Sequence, residues 1–234
     1  LPGYFYSTSK EGVYVHLFDN NTMNWHLEDG TPLRISQATR YPWQGRIEIT
    51  VNPASEKEFT LHVRRPFWSG SPRIMVAGSA FPNTLANGYF TLRRTWKPGD
   101  KVVIDYDVSP RLTASNPYVR DNIGKAAMER GPLVYCMESL DQPGQSSVFD
   151  WILDPGKRSS LQAREEWKSD LLGGVTVIHA KAVRNGERDG SLYQDLSAAK
   201  TREAAAKPGE ITLIPYYAFH NRETTSMQVW IPYR

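Results

Sequence analysis

The 234-residue sequence has only one cysteine, Cys136. A single thiol excludes an internal disulfide framework, and it excludes a metal site built from thiolates of this chain alone. Residues 133–137, which include Cys136, read Leu-Val-Tyr-Cys-Met and predict a buried strand. We therefore expect Cys136 to be a small core residue and not a reactive nucleophile.

The sequence also has little net charge and no long apolar run. Its 28 Lys and Arg and its 25 Asp and Glu give a formal net charge of +3, and these charges are scattered along the chain. The basic patch of a nucleic-acid-binding protein is therefore missing. No apolar run approaches the ~20 residues that cross a membrane as a helix. We expect neither nucleic acid nor a membrane among the partners.

The first four residues contain neither an initiator methionine nor the basic start and apolar stretch of a signal peptide. The chain opens abruptly, on what reads as the approach to a strand. We therefore expect a fragment whose natural N-terminal part is missing. Its localisation stays open, with a bacterial periplasmic or cytoplasmic parent protein as the expectation.

Sequence motifs for catalysis and metal binding are absent. HExxH, CxxC and Walker-loop patterns do not occur, and none of the five histidines has a spacing to another ligating residue that suggests a metal cage. Glycosidases need two facing carboxyl groups, or an equivalent pair of nucleophile and acid, yet nothing singles out a pair among the 25 acids. Glu165 and Glu166 are adjacent and would point to different sides of a helix, as on a solvated face. We predict no catalytic residue and no metal ligand in this chain.

Aromatic, proline and glycine residues are plentiful. The aromatic content of 12%, with 16 Pro and 17 Gly, favours strands joined by tight turns over long helices. Residues 46–51 and 58–64 alternate apolar and polar side chains, as half-buried strands do. Further strand patterns recur roughly every ten residues, which is typical of sandwiches and barrels. The predicted fold class is all-β, with two antiparallel β-sandwich (jelly-roll-like) domains and one or two short helices.

Two domains are predicted, over residues 1–110 and 111–234. The segment 109–117 carries two prolines and no periodicity, so we interpret it as the linker. Residues 161–171 and 198–207 gather Ala, Glu, Lys and Arg, which favours a short helix in each.

Four side chains are candidates for substrate binding, namely Tyr41, Trp43, Trp68 and His220. The first two belong to the turn-like run at residues 41–45, and Trp68 ends a similar run. Trp and Tyr rings stack on the apolar faces of sugars, but they also close the ends of a sandwich core or pack against a neighbouring domain. His220 lies in a dense polar and aromatic run, which suits either an interface or structural packing. Both interpretations stay open at this point.

Eight short segments of the chain occur in an order that resembles one protein family. They span nearly the whole sequence: Tyr4-Phe5-Tyr6-Ser7, Val13-Tyr14-Val15-His16-Leu17-Phe18, Thr39-Arg40-Tyr41-Pro42-Trp43-Gln44-Gly45, Leu61-His62-Val63-Arg64-Arg65-Pro66-Phe67-Trp68, Gly88-Tyr89-Phe90, Arg94-Thr95-Trp96-Lys97-Pro98-Gly99-Asp100, Arg130-Gly131-Pro132-Leu133-Val134-Tyr135-Cys136 and Ile214-Pro215-Tyr216-Tyr217-Ala218-Phe219-His220-Asn221-Arg222. This pattern resembles the region after the catalytic barrel in glycoside hydrolase family 127, the β-L-arabinofuranosidase family.

The resemblance implies an N-terminal (α/α)₆ barrel followed by a middle and a C-terminal sandwich, of which this chain has the two sandwiches. The strand just after the barrel joins the C-terminal sandwich in that arrangement, so residues 1–10 are alternatively part of the second domain. The resemblance also implies a zinc ion held by a glutamate and three cysteines, one of them the nucleophile, with a further glutamate as general acid/base. All of these lie in the barrel, so we transfer no catalytic residue and no cofactor to this chain.

The expected function is therefore structural. The resemblance implies a parent protein that is a retaining β-L-arabinofuranosidase or related exo-glycosidase of plant cell-wall glycans, with zinc in its barrel. This chain is expected to brace that barrel, its partner, and to lend a loop to glycan contact. The alternative is an independent carbohydrate-binding module that uses exposed Trp43 and Trp68. A third interpretation is a generic adhesion-type sandwich.

Overall fold

Strands account for nearly all regular structure in the computed structural model, which describes residues 2–82, 84–155, 163–186, 191–193, 195, 197 and 206–234. Every helix with described bounds is a 3₁₀ turn of three residues. The all-β prediction is confirmed. Across the described ranges, no helix combines the length and the apolar character needed to cross a membrane.

The chain divides into two compact units, Leu1–Val108 and Ser109–Arg234. The predicted division between residues 110 and 111 falls two positions later. The predicted linker was wrong in one respect, because it contains a strand, Pro110–Ala114, that pairs with Lys125–Arg130. Its prolines do not prevent pairing, since Pro110 is the first residue of an edge strand and Pro117 follows the strand.

The first unit is built from two sheets. Its strands are β1 (Tyr6–Ser9), β2 (Gly12–Val15), β3 (Asn21–His26), β4 (Pro32–Thr39), β5 (Arg46–Pro53), β6 (Lys57–Arg64), β7 (Arg73–Val76), β8 (Ser79–Ala80), β9 (Leu85–Ala86), β10 (Tyr89–Trp96) and β11 (Asp100–Asp105). One sheet has the order β1-β2-β6-β10-β9, and the other has the order β3-β4-β5-β11-β7-β8.

Alternating side chains explain why these strands form a sandwich. Ile47, Ile49 and Val51 of β5 point into the core and are fully buried, while the residues between them are at least partly exposed. Strand β6 contributes apolar residues to this core from the other sheet, but Thr60 and His62 between them are buried as well. Trp96 ends β10 inside this core, and its indole N–H donates to the Phe59 carbonyl oxygen over 3.0 Å.

The first ten residues belong to the first unit in this structure. Strand β1 pairs antiparallel with β2, so the alternative that residues 1–10 join the second sandwich is not what the fold adopts. Strand β2 then runs parallel to β6. Gly12 permits this approach, because a Cβ at that position would lie 1.9 Å from the Thr60 carbonyl oxygen.

The second unit forms one hydrogen-bonded network of strands. They are β12 (Pro110–Ala114), β13 (Lys125–Arg130), β14 (Leu133–Glu138), β15 (Trp151–Leu153), β16 (Ala163–Lys168), β17 (Val175–Arg184), β18 (Lys207–Pro215), β19 (Met227–Gln228) and β20 (Trp230–Pro232). The main path is β12-β13-β14-β18-β17-β15, with β16 on β17, β19 on β14 and β20 on β13. An isolated bridge between Leu153, at the end of β15, and Tyr233, just after β20, links the last strand of this path to the segment that pairs with β13.

The core of the second unit lies inside this network. Met128, Met137 and Ile231 are among its fully buried residues. Two polar aromatic side chains enter it with their hydrogen bonds satisfied. The Tyr135 hydroxyl donates to the Thr176 carbonyl over 2.8 Å, and the Trp151 indole N–H donates to the Ser146 hydroxyl over 3.0 Å.

The helix predicted at residues 161–171 was wrong for its described part, because Ala163–Lys168 is strand β16 on the edge of β17. Charge suits an edge strand as well as a helix surface. Glu165 and Glu166 point to opposite sides of this strand, and neither is simply solvated. Glu165 bonds to Arg130 over 2.8 Å, and Glu166 bonds to His179 over 2.9 Å. Residues 198–205 of the other predicted helix lie outside the described residues, and residue 207 starts β18.

Candidate functional site

Two of the predicted binding residues meet in an aromatic corner of the first unit, which we define as Phe18, Tyr41, Trp68 and Tyr106. The Tyr41 and Trp68 rings are stacked 6.5 Å apart, and each also contacts a deeper ring at 5.7 to 5.8 Å. Phe18 and Tyr106 are buried core residues. The corner therefore extends the core to the end of the sandwich.

Hydrogen bonds hold the corner rings in place. The Trp68 side chain bonds to the Tyr41 hydroxyl, and the indole is necessarily the donor. The Tyr106 hydroxyl donates to the Arg64 carbonyl over 2.9 Å. Burial raises the pKa of both Tyr41 and Tyr106, so both remain neutral donors and acceptors at physiological pH.

The turn that carries Trp43 is shaped by its backbone. The Tyr41–Pro42 peptide bond is cis, and the amides of Trp43 and Gln44 both donate to the Arg40 carbonyl. Gly45 lies where a Cβ would be 1.8 Å from the Tyr106 carbonyl oxygen. Only glycine allows the turn to lie this close to the end of β11.

The expectation that Trp43 and Trp68 are exposed was wrong, because both rings are half-buried. Trp68 packs against the buried core of the first unit. Tyr41 also packs against this core, which is consistent with one of the two interpretations left open by the sequence. Sugar contact by Tyr41, Trp43, Trp68 or His220 stays a prediction.

His220 belongs to the second unit, in a loop that we call the aromatic loop (residues 216–222). The loop opens with the 3₁₀ turn Tyr216–Ala218, and the rings of Tyr216 and Phe219 are stacked 6.5 Å apart. His220 is exposed and has a φ of +60°, a left-handed conformation that is uncommon for a residue with a Cβ. Such a backbone persists only where its surroundings fix it.

A partly buried ion-pair network fixes the aromatic loop. Glu138 at the end of β14 is 1% exposed, and its carboxylate accepts the His220 backbone N–H over 3.0 Å. The Arg222 guanidinium donates to Glu138 and also to both carboxylate oxygens of Asp141, over 2.7 and 2.6 Å. These carboxylates raise the pKa of Arg222 above its ordinary value, with Asp141 as the largest cause. The loop therefore presents Tyr216 and Tyr217, about half exposed, from a rigid base.

Cys136 is buried in β14, as predicted from its neighbours. Burial is the main cause that raises the pKa of its thiol to about 12, and the nearby carboxylates of Glu138 and Asp141 raise it further. The thiolate is therefore not formed near neutral pH. Within the described residues, no group of three or more His, Cys, Asp and Glu side chains is arranged to hold a metal ion.

Sequence reasoning missed a cluster on the outer face of β2, β6 and β10. The Tyr14 and His62 rings stack 4.1 Å apart, and Tyr89 contacts Tyr14 edge-on at 5.3 Å. His16 bonds to the hydroxyls of Ser7 and Tyr89, each over 2.8 Å. Alternation along β2 and β6 was the available signal, since it places these rings opposite the apolar residues that fill the core.

Two grooves near this face were also missed. The first, of about 440 Å³, is lined by the β1–β2 turn, the hairpin that contains Trp25 and the start of β6. The second, of about 400 Å³, runs along β6 and β10 and includes His62, Thr91 and Arg93. Both are lined by Lys10, Glu11, Glu58 and Phe59. No local motif predicts them, because their walls come from segments far apart in the sequence.

Comparison with protein families gives a match over both units. The model described as "Beta-L-arabinofuranosidase, GH127 middle domain" matches residues 12–108, and the "Glycoside hydrolase family 127 C-terminal domain" matches residues 110–232. The chain belongs to glycoside hydrolase family 127. This confirms the resemblance that the eight sequence segments predicted. Its two units correspond to the middle and C-terminal domains of family 127.

Relatives of known name and structure agree with this family 127 assignment. A non-reducing end β-L-arabinofuranosidase of Bifidobacterium longum subsp. longum is 33% identical over an alignment of 237 residues, gaps included, which covers 97% of this chain and 34% of that protein. The crystal structure of a GH127 β-L-arabinofuranosidase from Geobacillus stearothermophilus T6 superposes with a TM-score of 0.87, at 30% identity, over 99% of this chain and 35% of its own. A further GH127 β-arabinofuranosidase structure gives 0.83 at 30% identity, over 100% and 36%. The chain spans about a third of the length of these relatives.

Proposed function

We propose that this chain is the non-catalytic β-sandwich region of a larger family 127 glycoside hydrolase and that it braces an (α/α)₆ catalytic barrel. The observation that carries the proposal is the pair of family matches, since they are to the middle and C-terminal domains and together span residues 12–108 and 110–232. The share of the Bifidobacterium relative that the chain covers, 34%, leaves ample length for a catalytic domain in such a protein.

The parent enzyme in this proposal is a retaining β-L-arabinofuranosidase, or a related exo-glycosidase, that acts on plant cell-wall glycans. The support is the name of the 33% identical relative, a non-reducing end β-L-arabinofuranosidase. Specificity for the sugar would reside in the barrel.

The zinc site implied by the family resemblance does not fit the residues of this chain. Such a site needs three thiolates and a carboxylate, and the chain has a single cysteine. That cysteine is fully buried in β14, and its thiol has a pKa of about 12. We therefore propose that zinc and the catalytic groups are held by the barrel, and we derive no chemical step for this chain.

The aromatic loop of the second unit is the proposed contact with the barrel. Exposed aromatic side chains are enriched in protein interfaces, because they bury much apolar area at a small cost in conformational entropy. Tyr216 and Tyr217 are 50% and 53% exposed, and the loop that carries them is anchored by the buried Glu138 carboxylate. A surface that is already ordered loses little entropy when a partner binds.

The coding sequence upstream of Leu1 provides the first test. Under the proposal it encodes a mainly helical segment with a pair of cysteines shortly before Leu1. An unrelated domain in that place would refute the bracing role.

A biochemical test uses the 234-residue chain and the upstream segment expressed separately. We expect the chain alone to hydrolyse no aryl β-L-arabinofuranoside, with or without zinc, and to form a complex with the upstream segment in size-exclusion chromatography. The double variant Tyr216→Ser, Tyr217→Ser should weaken this complex, whereas Tyr118→Ser, at an exposed tyrosine outside the loop, should not. Zinc-dependent turnover by the chain alone, or equal effects of the two variants, would contradict the proposal.

A further inference from the structure

The two grooves of the first unit have the size of a small-molecule site. Volumes of about 440 and 400 Å³ fall within the ~300–1,000 Å³ typical of ligand pockets. Because both are lined by Lys10, Glu11, Glu58 and Phe59, they adjoin each other along the start of β6. A ligand longer than one ring can therefore occupy both.

Trp25 gives the first groove an aromatic platform. The residue lies on β3, at the edge of its sheet, and its side chain is 48% exposed. A half-exposed indole offers a broad apolar face beside the polar rim formed by Glu11, Glu28 and Asp29. This combination of a flat apolar surface and nearby polar groups suits a sugar ring, which has an apolar face of C–H groups and an edge of hydroxyls.

His62 and Thr91 give the second groove two polar atoms without partners. The residues face each other across β6 and β10. The His62 Nε2 and Thr91 Oγ1 atoms are buried, and neither has a hydrogen-bond partner in the described part of the chain. Buried polar atoms are nearly always hydrogen-bonded in folded proteins, so two unpartnered atoms beside one groove indicate a bonding group that reaches them once the side chains rotate toward the groove.

Stacking on Tyr14 fixes the plane of the His62 ring. It is 7% exposed and stacks on Tyr14 with an angle of 8° between the ring planes. Burial lowers the pKa of His62, so the ring is neutral at physiological pH, with one nitrogen as donor and the other as acceptor. A hydroxyl group both donates and accepts, and it can therefore satisfy either tautomer together with Thr91.

The charges along the grooves favour a neutral ligand. Asp29 is ion-paired with Lys57, and Glu58 is paired with Arg93 over 3.2 Å. The remaining acids, Glu11 and Glu28, are accompanied by Lys10. The described residues that line the two grooves carry no excess of positive charge that would attract a phosphate or a polyanion.

We propose that the two grooves form one binding site for a neutral oligosaccharide, in which Trp25 stacks on one sugar ring and His62 and Thr91 bond hydroxyls of the next. This site goes beyond the bracing role and uses none of the residues assigned to it. It also differs from the sugar contact predicted at Trp43 and Trp68, since both residues are half-buried and Trp68 packs against the core.

Isothermal titration calorimetry of the 234-residue chain tests the site, with the neutral trisaccharides arabinotriose and xylotriose as probes and inorganic phosphate as the charged probe. We expect at least one trisaccharide to bind and phosphate not to bind. Trp25→Ala should weaken the trisaccharide at least about ten-fold, which corresponds to ~1.4 kcal/mol. Thr91→Val, which keeps the shape of the side chain, should weaken it at least about three-fold.

Trp167→Ala is the matched control, because Trp167 is 47% exposed but lies in the second unit. It should leave sugar affinity unchanged, and thermal unfolding should show that every variant is folded. The proposal is overturned if neither trisaccharide binds at millimolar concentration, or if Trp25→Ala and Trp167→Ala have the same effect. It is also overturned if Trp25→Ala changes only the complex with the upstream segment, since Trp25 would then be an interdomain contact.

Discussion

Replacement of Arg222 by alanine removes the cation that neutralises Glu138 and Asp141 at the base of the aromatic loop. Glu138 is 1% exposed, so its carboxylate would keep the His220 N–H and lose its charged partner. Removal of one partner of a buried ion pair costs ~3–5 kcal/mol, because the other charge stays desolvated. Since the Arg222 side chain is itself 31% exposed, water can enter the gap, and we expect the lower end, about 3 kcal/mol.

Hydrogen–deuterium exchange measured by mass spectrometry shows in which of the two units the Arg222→Ala variant loses stability. A loss of about 3 kcal/mol corresponds to exchange that is on the order of 100-fold faster in peptides from β14, because ~1.4 kcal/mol is a factor of ten. Peptides from β6, which belong to the first unit, should exchange at their original rate. Urea unfolding of the same variant should show a lower midpoint for the second unit.

Arg164→Ala is the control for this measurement. Arg164 makes two ion pairs, with Glu166 and Glu210, but its side chain is 57% exposed, so the pairs are screened by water. Exposed pairs contribute ~0–1 kcal/mol. If Arg222→Ala changes β14 exchange no more than Arg164→Ala does, the network does not stabilise the unit as argued. Arg222→Lys should restore only part of the loss, because an ammonium cannot replace the planar fork of a guanidinium.

Two further predictions concern close packing. Gly45→Ala should lower the free energy of unfolding by about 2 kcal/mol or more, because the added Cβ would lie 1.8 Å from the Tyr106 carbonyl oxygen. Gly70→Ala is the control. A Cβ at Gly70 would have nothing within 4 Å, so this variant should change the free energy of unfolding by less than about 0.5 kcal/mol. Urea titration of both variants measures this, and equal midpoints would refute the clash. Cys136 should resist labelling by Ellman's reagent at pH 8 in the folded chain and react within seconds in urea, since burial raises its pKa to about 12. Rapid labelling of the native chain would contradict its burial.

Much of the strand pattern was predictable because it is local. Alternation at residues 46–51 requires only that one face of a strand meets apolar neighbours, and β5 buries Ile47, Ile49 and Val51 accordingly. At residues 163–168 the local prediction of a helix was wrong, because these residues form strand β16. Their Arg, Glu and Lys side chains favour a helix in isolation. Pairing of β16 with β17 supplies backbone hydrogen bonds, and His179 of β17 and Arg130 of β13 supply side-chain partners, none of which is contained in helix propensity.

The candidate sites were less predictable than the strands. The turn at residues 41–45 was identified from its own sequence, yet the half-burial of Trp43 and Trp68 depends on how the end of the sandwich packs. His220 was singled out from its neighbours, while its left-handed backbone depends on Glu138, 82 positions earlier. Trp25 shares a groove with residues 8–13 and 57–59, and only strand pairing brings these segments together. Sequence patterns report local geometry, and grooves are made by distant contacts.

The parallel pairing of β2 with β6 has a consequence for how the first unit folds. It joins residues 12–15 to residues 60–63, whereas β3, β4 and β5 pair with their sequence neighbours through short turns. Loop-closure entropy makes distant pairings slower to form than adjacent hairpins. We therefore expect the β3–β5 meander to assemble early and β2 to dock after β6 is in place. The β1–β2 turn lines both grooves and docks together with β2, so we expect the two grooves to be among the last parts of the first unit to form.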